Sequence, residues 1–218
     1  MVCEEIRIKN NIYQHFYVLK TNRNKRHRYG EFLVEGVRNL NEAVTEGWKI
    51  KALLMREGKL SNWARGLVHT TAVNNYRLCE ELMRELSGKE DTSELMAVVE
   101  MRQELPEQVR LSGNPFLVVF DRPSNKGNLG TLIRSCEAFG VDALFLTGHG
   151  VDMYDPEVIT ATMGSFFRLP IVRVAENETL FRYLDVLREE YPGMRVVGST
   201  AHRQQTVYEV MRQRREKG

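Results

Sequence analysis

The chain has 218 residues, 42% of them hydrophobic and 28% charged, and its 31 basic and 29 acidic side chains leave a formal net charge of +2. This composition is typical of a globular protein of one or two domains, it excludes the disordered and collagenous classes, and a charge so near zero does not indicate a partner. No apolar run reaches the roughly 20 residues of a membrane helix, and the first ten residues lack a signal-peptide core. Cys3, Cys79 and Cys136 are widely spaced and stand apart from clustered histidines, so we expect no disulfide framework, no metal site and a cytoplasmic location.

The first half of the chain is predicted to alternate between strands and helices. Apolar spacing predicts a helix over Ile6–Lys20, and the next stretch, Lys20–Arg28, has five basic residues and no acid, so we expect a loop there. The later predicted elements are strand Glu31–Glu35, helix Gly36–Glu46, strand Ile50–Met55, a weaker strand Leu67–Thr70, helix Asn75–Leu86 and strand Leu95–Met101. This order favours an α/β sandwich.

A polar stretch with prolines, Gln103–Pro115, interrupts this pattern, and we predict domains of residues 1–112 and 113–218. A second alternation follows. Its predicted elements are strand Phe116–Phe120, helix Asn128–Phe139, strand Ala143–Leu146, helix Pro156–Thr162, strand Leu169–Val174, helix Glu178–Glu190 and strand Met194–Val197. Because Phe116–Phe120 is apolar at every position, we expect a parallel sheet that is covered on both faces.

The polar turn Asp121–Gly130 follows the first strand of that sheet, where ligands of parallel sheets bind. Gly127 and Gly130 allow the backbone to approach a ligand, Asn128 can cap the next helix, and Arg134 lies two turns into it. An ordinary glycine-rich turn with a helix cap and a surface arginine explains the same pattern equally well. Neither a phosphate-loop motif nor a dinucleotide-binding motif is present.

Two longer motifs carry a family resemblance. Asn128–Gly140 resembles the first motif of the SpoU (TrmH) family of RNA 2′-O-ribose methyltransferases, which belong to the knotted SPOUT class, and Asp155–Pro170 resembles the second motif. The basic stretch and the segment Phe32–Arg38 are similar to the family's substrate-binding domain. The resemblance implies an N-terminal α/β sandwich for substrate binding and a parallel-sheet SPOUT-like α/β knot for catalysis.

The resemblance also implies S-adenosylmethionine as methyl donor and a ribose 2′-hydroxyl of structured, ribosomal RNA as acceptor. It places Arg134 and Asn128 at the reacting hydroxyl. Because a free guanidinium has a pKa above ~12, we expect Arg134 to grip the adjacent phosphate rather than to act as a base. Gly198, Ser199 and Thr200 follow the carboxyl end of the predicted strand Met194–Val197, so we expect them to line the cofactor pocket.

For RNA binding, the resemblance and the basic stretch point to five residues: Lys25, Arg26, Arg28, Glu35 and Arg38. We expect Glu35 to face the catalytic cleft, although an exposed carboxylate at a strand end fits equally well. A solvated charge run is the ordinary explanation of a stretch such as Lys20–Arg28.

The sequence departs from the family at three points. Thr160 stands where the family has a basic residue, and Thr162 stands where serine is common. The third motif, an Asn-Glu-x-x-Gly-Leu loop with a Ser-Leu-Asn helix, does not occur before the chain ends at Gly218. In the family that this sequence resembles, the missing segment threads the knot and supplies much of the cofactor site and of the homodimer surface. We therefore expect a truncated catalytic domain with weak or no activity. The competing hypothesis is a non-catalytic RNA-binding protein.

Overall fold

The computed structural model describes residues 3–71, 73–89, 91–199, 206 and 208–209. Met1–Leu180 forms one compact unit and Phe181–Gly218 a second, and each is described by itself. Within the described residues, no helix combines the length and the apolar composition that crossing a membrane requires.

The N-terminal part of the first unit is a mixed five-stranded sheet with helices. Its strands are β1 (Cys3–Ile6), β2 (Glu31–Glu35), β3 (Ile50–Arg56), β4 (Asn74–Leu78) and β5 (Leu95–Glu100). Their order is β1-β4-β3-β5-β2, in which β1–β4 and β3–β4 are parallel pairs and β5 is antiparallel to both β3 and β2. Its helices are α1 (Asn11–Thr21), α2 (Arg23–Tyr29), α3 (Val37–Thr45), α4 (Asn62–Thr70) and α5 (Glu80–Ser87).

A second sheet of three parallel strands follows the linking segment. Its strands are β6 (Leu117–Asp121), β7 (Ala143–Thr147) and β8 (Ile171–Val174), in the order β6-β7-β8. The helices are α6 (Lys126–Ala138), α7 (Pro156–Thr162) and α8 (Asn177–Glu190), and a short 3-10 turn covers Ser165–Phe167. The predicted parallel series is confirmed for these three strands, and with it the mixed α/β class.

The prediction that the first strand of this sheet is covered on both faces is wrong. β6 lies at an edge of the sheet, and Val119 in it is 43% exposed. β7 lies between β6 and β8, and every one of its residues is buried. The apolar run therefore correctly predicted a strand of the parallel sheet. It did not show whether that strand lies at the centre or at the edge of the sheet.

The two sheets share one hydrophobic core. Phe32 and Val34 of β2, together with Trp48, pack in the same buried cluster as Phe166 and Phe167 of the second part. The rings of Trp48 and Phe167 lie 5.4 Å apart edge to face, and the Trp48 indole nitrogen donates a hydrogen bond of 3.0 Å to the Phe167 carbonyl. The division of the chain at residues 112 and 113 stays a prediction, since both sides of it contribute to this one core.

The basic stretch predicted as a loop is mostly helical. The Asn22 side chain caps α2 by accepting a hydrogen bond of 3.0 Å from the Lys25 amide, and Gly30 ends the helix in a left-handed conformation with φ 65°. The apolar spacing that predicts helices is missing here because the residue that α2 buries is Arg26. The first predicted helix is likewise shorter, since α1 begins only after Asn10, whose side chain caps it.

Two strands and one helix were also predicted incorrectly. The stretch predicted as strand Leu67–Thr70 belongs to α4, whose first turn is capped by Ser61. Helix Asn75–Leu86 is in fact β4 followed by α5, because pairing with β1 and β3 outweighs the helical spacing of its apolar residues. Met194–Val197 is irregular, and in the described part of the chain no neighbouring strand takes its backbone hydrogen bonds.

Candidate functional site

The site begins at the turn after β6, where Asn125 and not Asn128 caps α6. The Asn125 side chain accepts a hydrogen bond of 2.9 Å from the Asn128 amide. The predicted capping role of Asn128 is therefore wrong, because α6 starts two residues earlier than the sequence indicated. The side chain of Asn128 is exposed and has no hydrogen-bond partner among the residues described.

Helix α6 has one buried face and one exposed face. Leu129, Gly130, Ile133 and Cys136 are buried. Asn128 and Arg134 are both exposed, six residues apart, which corresponds to about 9 Å along a helix axis. Within the described residues, no acid or carbonyl pairs with the Arg134 guanidinium, so this cation is available to a ligand.

Gly130 brings α6 into close contact with α7. A Cβ at Gly130 would overlap the Cβ of Ala161 and would lie 3.2 Å from the Val158 carbonyl oxygen. Gly130 therefore serves packing between the helices rather than the approach of a ligand. On α7, Thr162 is buried, and its hydroxyl donates a hydrogen bond of 2.7 Å to the Ile159 carbonyl of the same helix.

A buried ionic network joins α2 to the start of α7. Arg26 is 2% exposed, and its Nε lies 2.8 Å from Asp152 Oδ2. Its other nitrogens donate to the Leu19 and Lys20 carbonyls at 3.0 Å and lie 3.4 Å from Asp155 Oδ2. The prediction that Arg26 contacts RNA is corrected here, because this guanidinium is enclosed by partners inside the protein.

The same network continues to the start of α6 through Lys126. Lys126 Nζ lies 3.2 Å from Asp155 Oδ2 and 2.9 Å from Glu157 Oε1. Burial lowers the pKa of Lys126, but the hydrogen bonds to Glu157 and Asp155 outweigh burial, and the pKa lies above its usual value. Asp155 also caps α7, its Oδ1 accepting from the Glu157 amide at 3.0 Å. Asp155 therefore contacts the first residue of α6 and also caps α7.

Glu35 does not face the second sheet. In a strand, alternate residues point to opposite faces, and the second sheet's helices pack on the face of β2 that carries Phe32 and Val34. Glu35 points to the other face, where the Ser87 hydroxyl donates to it at 2.6 Å and Lys89 Nζ lies 3.1 Å away. The predicted place of Glu35 in the cleft is therefore wrong.

The remaining predicted RNA contacts keep their place at the surface. Arg28 and Arg38 are exposed and Lys25 is partly exposed, and no acidic partner of their side chains occurs in the described ranges. Lys25 and Arg28 lie on α2, and Arg38 lies in the first turn of α3. Their role in RNA binding stays a prediction.

The predicted cofactor contacts lie in the second unit. Gly198 and Ser199 are exposed in an irregular segment, and Thr200 lies outside the described residues. The structure thus describes two of these three residues, and their role in binding a cofactor stays a prediction.

Three arginines that the sequence reasoning did not select gather at the carboxyl ends of the parallel strands. Arg23 and Arg173 each donate a hydrogen bond of 2.8 Å to the loop after β7, to the Gly150 and the Gly148 carbonyl respectively. Arg122 directly follows β6, and a Cβ at Gly148 would lie 2.6 Å from its Cγ. The rule that ligands bind beyond strand ends could have selected Arg122 and Arg173.

Comparison with known proteins finds family models and relatives that are similar to the chain. The SpoU L30e-like domain model matches residues 10–97, and the SpoU rRNA Methylase family model matches residues 115–217. The 23S rRNA (uridine(2479)-2′-O)-methyltransferase of Streptomyces viridochromogenes is 36% identical over 202 residues, 92% of this chain and 70% of that protein. The 23S rRNA (guanosine(2553)-2′-O)-methyltransferase of Bacillus subtilis is 27% identical over 176 residues, 80% of this chain and 64% of that protein.

Solved structures agree with the family models. The SpoU methyltransferase AviRb of Streptomyces viridochromogenes superposes with a TM-score of 0.81 at 37% identity, covering 88% of this chain and 72% of its own. AviRb in complex with the cofactor AdoMet gives 0.79 at 38% identity, covering 84% and 69%. The fold, together with helix α6, which carries most of the first motif, defines an α/β protein of the SpoU methyltransferase type. The chain belongs to the SpoU rRNA methylase family, which confirms the predicted fold class and the resemblance.

Proposed function

We propose that this protein transfers a methyl group from S-adenosylmethionine to a ribose 2′-hydroxyl of ribosomal RNA, with residues 1–112 binding the RNA and residues 113–218 carrying the transfer. The observation that carries the proposal is the exposed guanidinium of Arg134 on α6, which has no ion-pair partner among the residues that the structure describes. Family membership and the names of the relatives support the type of reaction.

Methyl transfer forms a bond between the ribose oxygen and the methyl carbon and breaks the carbon–sulfur bond, so S-adenosylhomocysteine leaves and the hydroxyl proton passes to water. This displacement needs the two reactants in line, so positioning is the main task of the protein. Arg134 binds the phosphate next to the target ribose with its planar fork of donors, and the Asn128 side chain hydrogen-bonds the 2′-hydroxyl. Their separation of about 9 Å along α6 leaves room for one nucleotide to lie between them. The network of Arg26, Asp155 and Lys126 keeps the start of α6 in place while RNA binds.

S-adenosylmethionine supplies a methyl group on a positively charged sulfur when it is bound. The complex of AviRb with AdoMet supports this choice of cofactor. Gly198, Ser199 and Thr200 are the proposed contacts, through backbone groups and hydroxyls. The proposed RNA surface consists of Lys25 and Arg28 on α2 and Arg38 on α3.

We also propose a cytoplasmic location and a homodimer. The three cysteines are free thiols, as in proteins of a reducing compartment. The family resemblance supports the dimer, and light scattering of the purified chain measures it.

The test is transfer of tritiated methyl from S-adenosylmethionine to bulk ribosomal RNA, followed by digestion and identification of the methylated nucleoside. We expect a 2′-O-methylated nucleoside from the native chain. Replacing Arg134→Ala should lower transfer about 10- to 100-fold, the size of losing a charge-assisted hydrogen bond. The matched control is Arg84→Ala, an exposed arginine on α5 that should leave the rate unchanged.

Equal transfer by the native chain and the Arg134→Ala variant would refute the role of Arg134. RNA binding without either transfer or cofactor binding in calorimetry would support the competing hypothesis of a non-catalytic RNA-binding protein. The level of activity stays a prediction, and the same assay beside another family member measures it.

A further inference from the structure

We propose that Arg23, Arg122 and Arg173 form a binding site for neighbouring phosphodiester groups of the RNA, at the carboxyl ends of β6–β8. This proposal rests on the proposed function, since it takes RNA as the ligand. It adds a contact that lies apart from Arg134, and it extends the proposed RNA surface from α2 to the second sheet.

The loop after β7 holds the three side chains together. Arg23 reaches the Gly150 carbonyl and Arg173 reaches the Gly148 carbonyl, both at 2.8 Å, so two guanidinium groups are fixed two residues apart on one loop. Each uses one of its five N–H donors in this way, and the other donors stay available. The stem of Arg122 packs against Gly148.

The loop itself is held against the turn that follows β6. The Val151 amide donates to the Pro123 carbonyl at 2.7 Å. A Cβ at Gly150 would lie 2.7 Å from that same carbonyl oxygen, so glycine permits the contact. The arginines are therefore attached to a loop that is itself anchored, and a ligand would find them already ordered.

The cluster carries more positive than negative charge. Burial, and next the charge of Arg23, lower the pKa of Arg173. Two acids are close, but both have partners. Asp121 accepts from the Thr147 hydroxyl at 2.7 Å and from Arg122 at 3.0 Å, so it offsets one of the three positive charges and leaves two. Asp152 is paired with Arg26. Like charges held together in this way favour binding of an anion.

Arg122 shows a further sign of function. Its φ is 46°, a left-handed conformation that favours glycine, and its amide donates to the Thr147 carbonyl at 3.0 Å. Such strain in a non-glycine residue is common at binding sites. Its side chain is 72% exposed, so packing in the core does not explain why an arginine occupies this position.

RNA is the anion that fits the surroundings. Arg23 lies on the same helix as Lys25 and Arg28, so the cluster continues the basic surface of α2. Guanidinium groups bind phosphate oxygens with two parallel hydrogen bonds, and a strand of RNA presents a row of such groups.

The experiment measures binding of a short fluorescent RNA hairpin by anisotropy at several salt concentrations. Each phosphate contact contributes about 0.7–0.9 to the slope of log K against log salt concentration. The double variant Arg23→Gln/Arg122→Gln should therefore lose about 1.4–1.8 from this slope, while Arg23→Lys/Arg122→Lys keeps it. Arg84→Gln on α5 is the matched control and should leave the slope unchanged.

Arg173 is left intact because it is partly buried and anchors the loop. Thermal unfolding checks each variant, and if the double variant is destabilised, the two single variants decide, with an expected loss of about 0.8 each. An unchanged slope in folded variants would overturn the phosphate site alone if the native chain binds and methylates RNA. Absence of RNA binding by the native chain would overturn this inference and the proposed function together.

Discussion

Replacing Arg26 with alanine tests whether the buried network holds the two parts of the first unit together. The change removes the guanidinium from Asp152, whose side chain is 5% exposed and keeps contacts with His27 and the Tyr154 amide on its other oxygen. It also leaves the Leu19 and Lys20 carbonyls without their donor. Removing one member of a buried ion pair costs about 3–5 kcal/mol, because the remaining charge is uncompensated. A domain has a free energy of unfolding of about 5–15 kcal/mol, so Arg26→Ala should lose a large part of its stability.

The assay is urea unfolding followed by circular dichroism, with Arg84→Ala as the control. Arg84 pairs with Glu80 at the surface at 2.7 Å, and losing such a pair costs about 0–1 kcal/mol. The double variant Arg26→Met/Asp152→Leu removes both charges and should recover much of the stability, since two apolar side chains can fill a buried pair's space. A loss below about 1 kcal/mol in Arg26→Ala, equal to that of the surface control, would refute the reasoning.

Two further predictions concern α6. Gly130→Ala should destabilise the protein by about 1–3 kcal/mol, because the added methyl forces α6 and α7 apart, and a rise or no change in melting temperature would contradict this. The hydrogen bond from Arg168, at 2.9 Å, lowers the pKa of Glu137. The stabilisation from this carboxylate is therefore present above its unfolded value of about 4.3 and is lost as the pH falls through the lower folded value. Glu137→Gln should be less stable at neutral pH and should lose less stability on acidification, as urea unfolding between neutral and acid pH measures.

Sequence reasoning found the strands and helices whose own residues show the apolar pattern and the end signals of that element. α7 was predicted with its observed bounds, since Asp155 and Pro156 mark its start and its apolar positions follow a helical period. β4 was missed because its residues become a strand only through pairing with β1 and β3, which no local pattern contains. The predicted site residues Asn128 and Arg134 do lie on the exposed face of α6, as expected of motif residues on a helix.

The burial of Arg26 is a different case, because its partner Asp152 lies 126 positions away in the sequence. A run of basic residues predicts a solvated surface on average, yet one member of this run is among the most buried side chains of the protein. The composition of the stretch could not separate Arg26 from Lys25 or Arg28. The separation follows from the turn of α2, which directs one position inward.

The basic stretch Lys20–Arg28 therefore has two physical roles, which its composition alone does not distinguish. Arg26 binds the start of α7, and through Asp155 and Lys126 it is connected to the start of α6. Arg23, three residues earlier on the same helix, binds the loop after β7. Asp155 thus links α2 to α6 through ion pairs of 3.4 Å to Arg26 and 3.2 Å to Lys126. RNA affinity and the placement of Arg134 should then change together when α2 is altered.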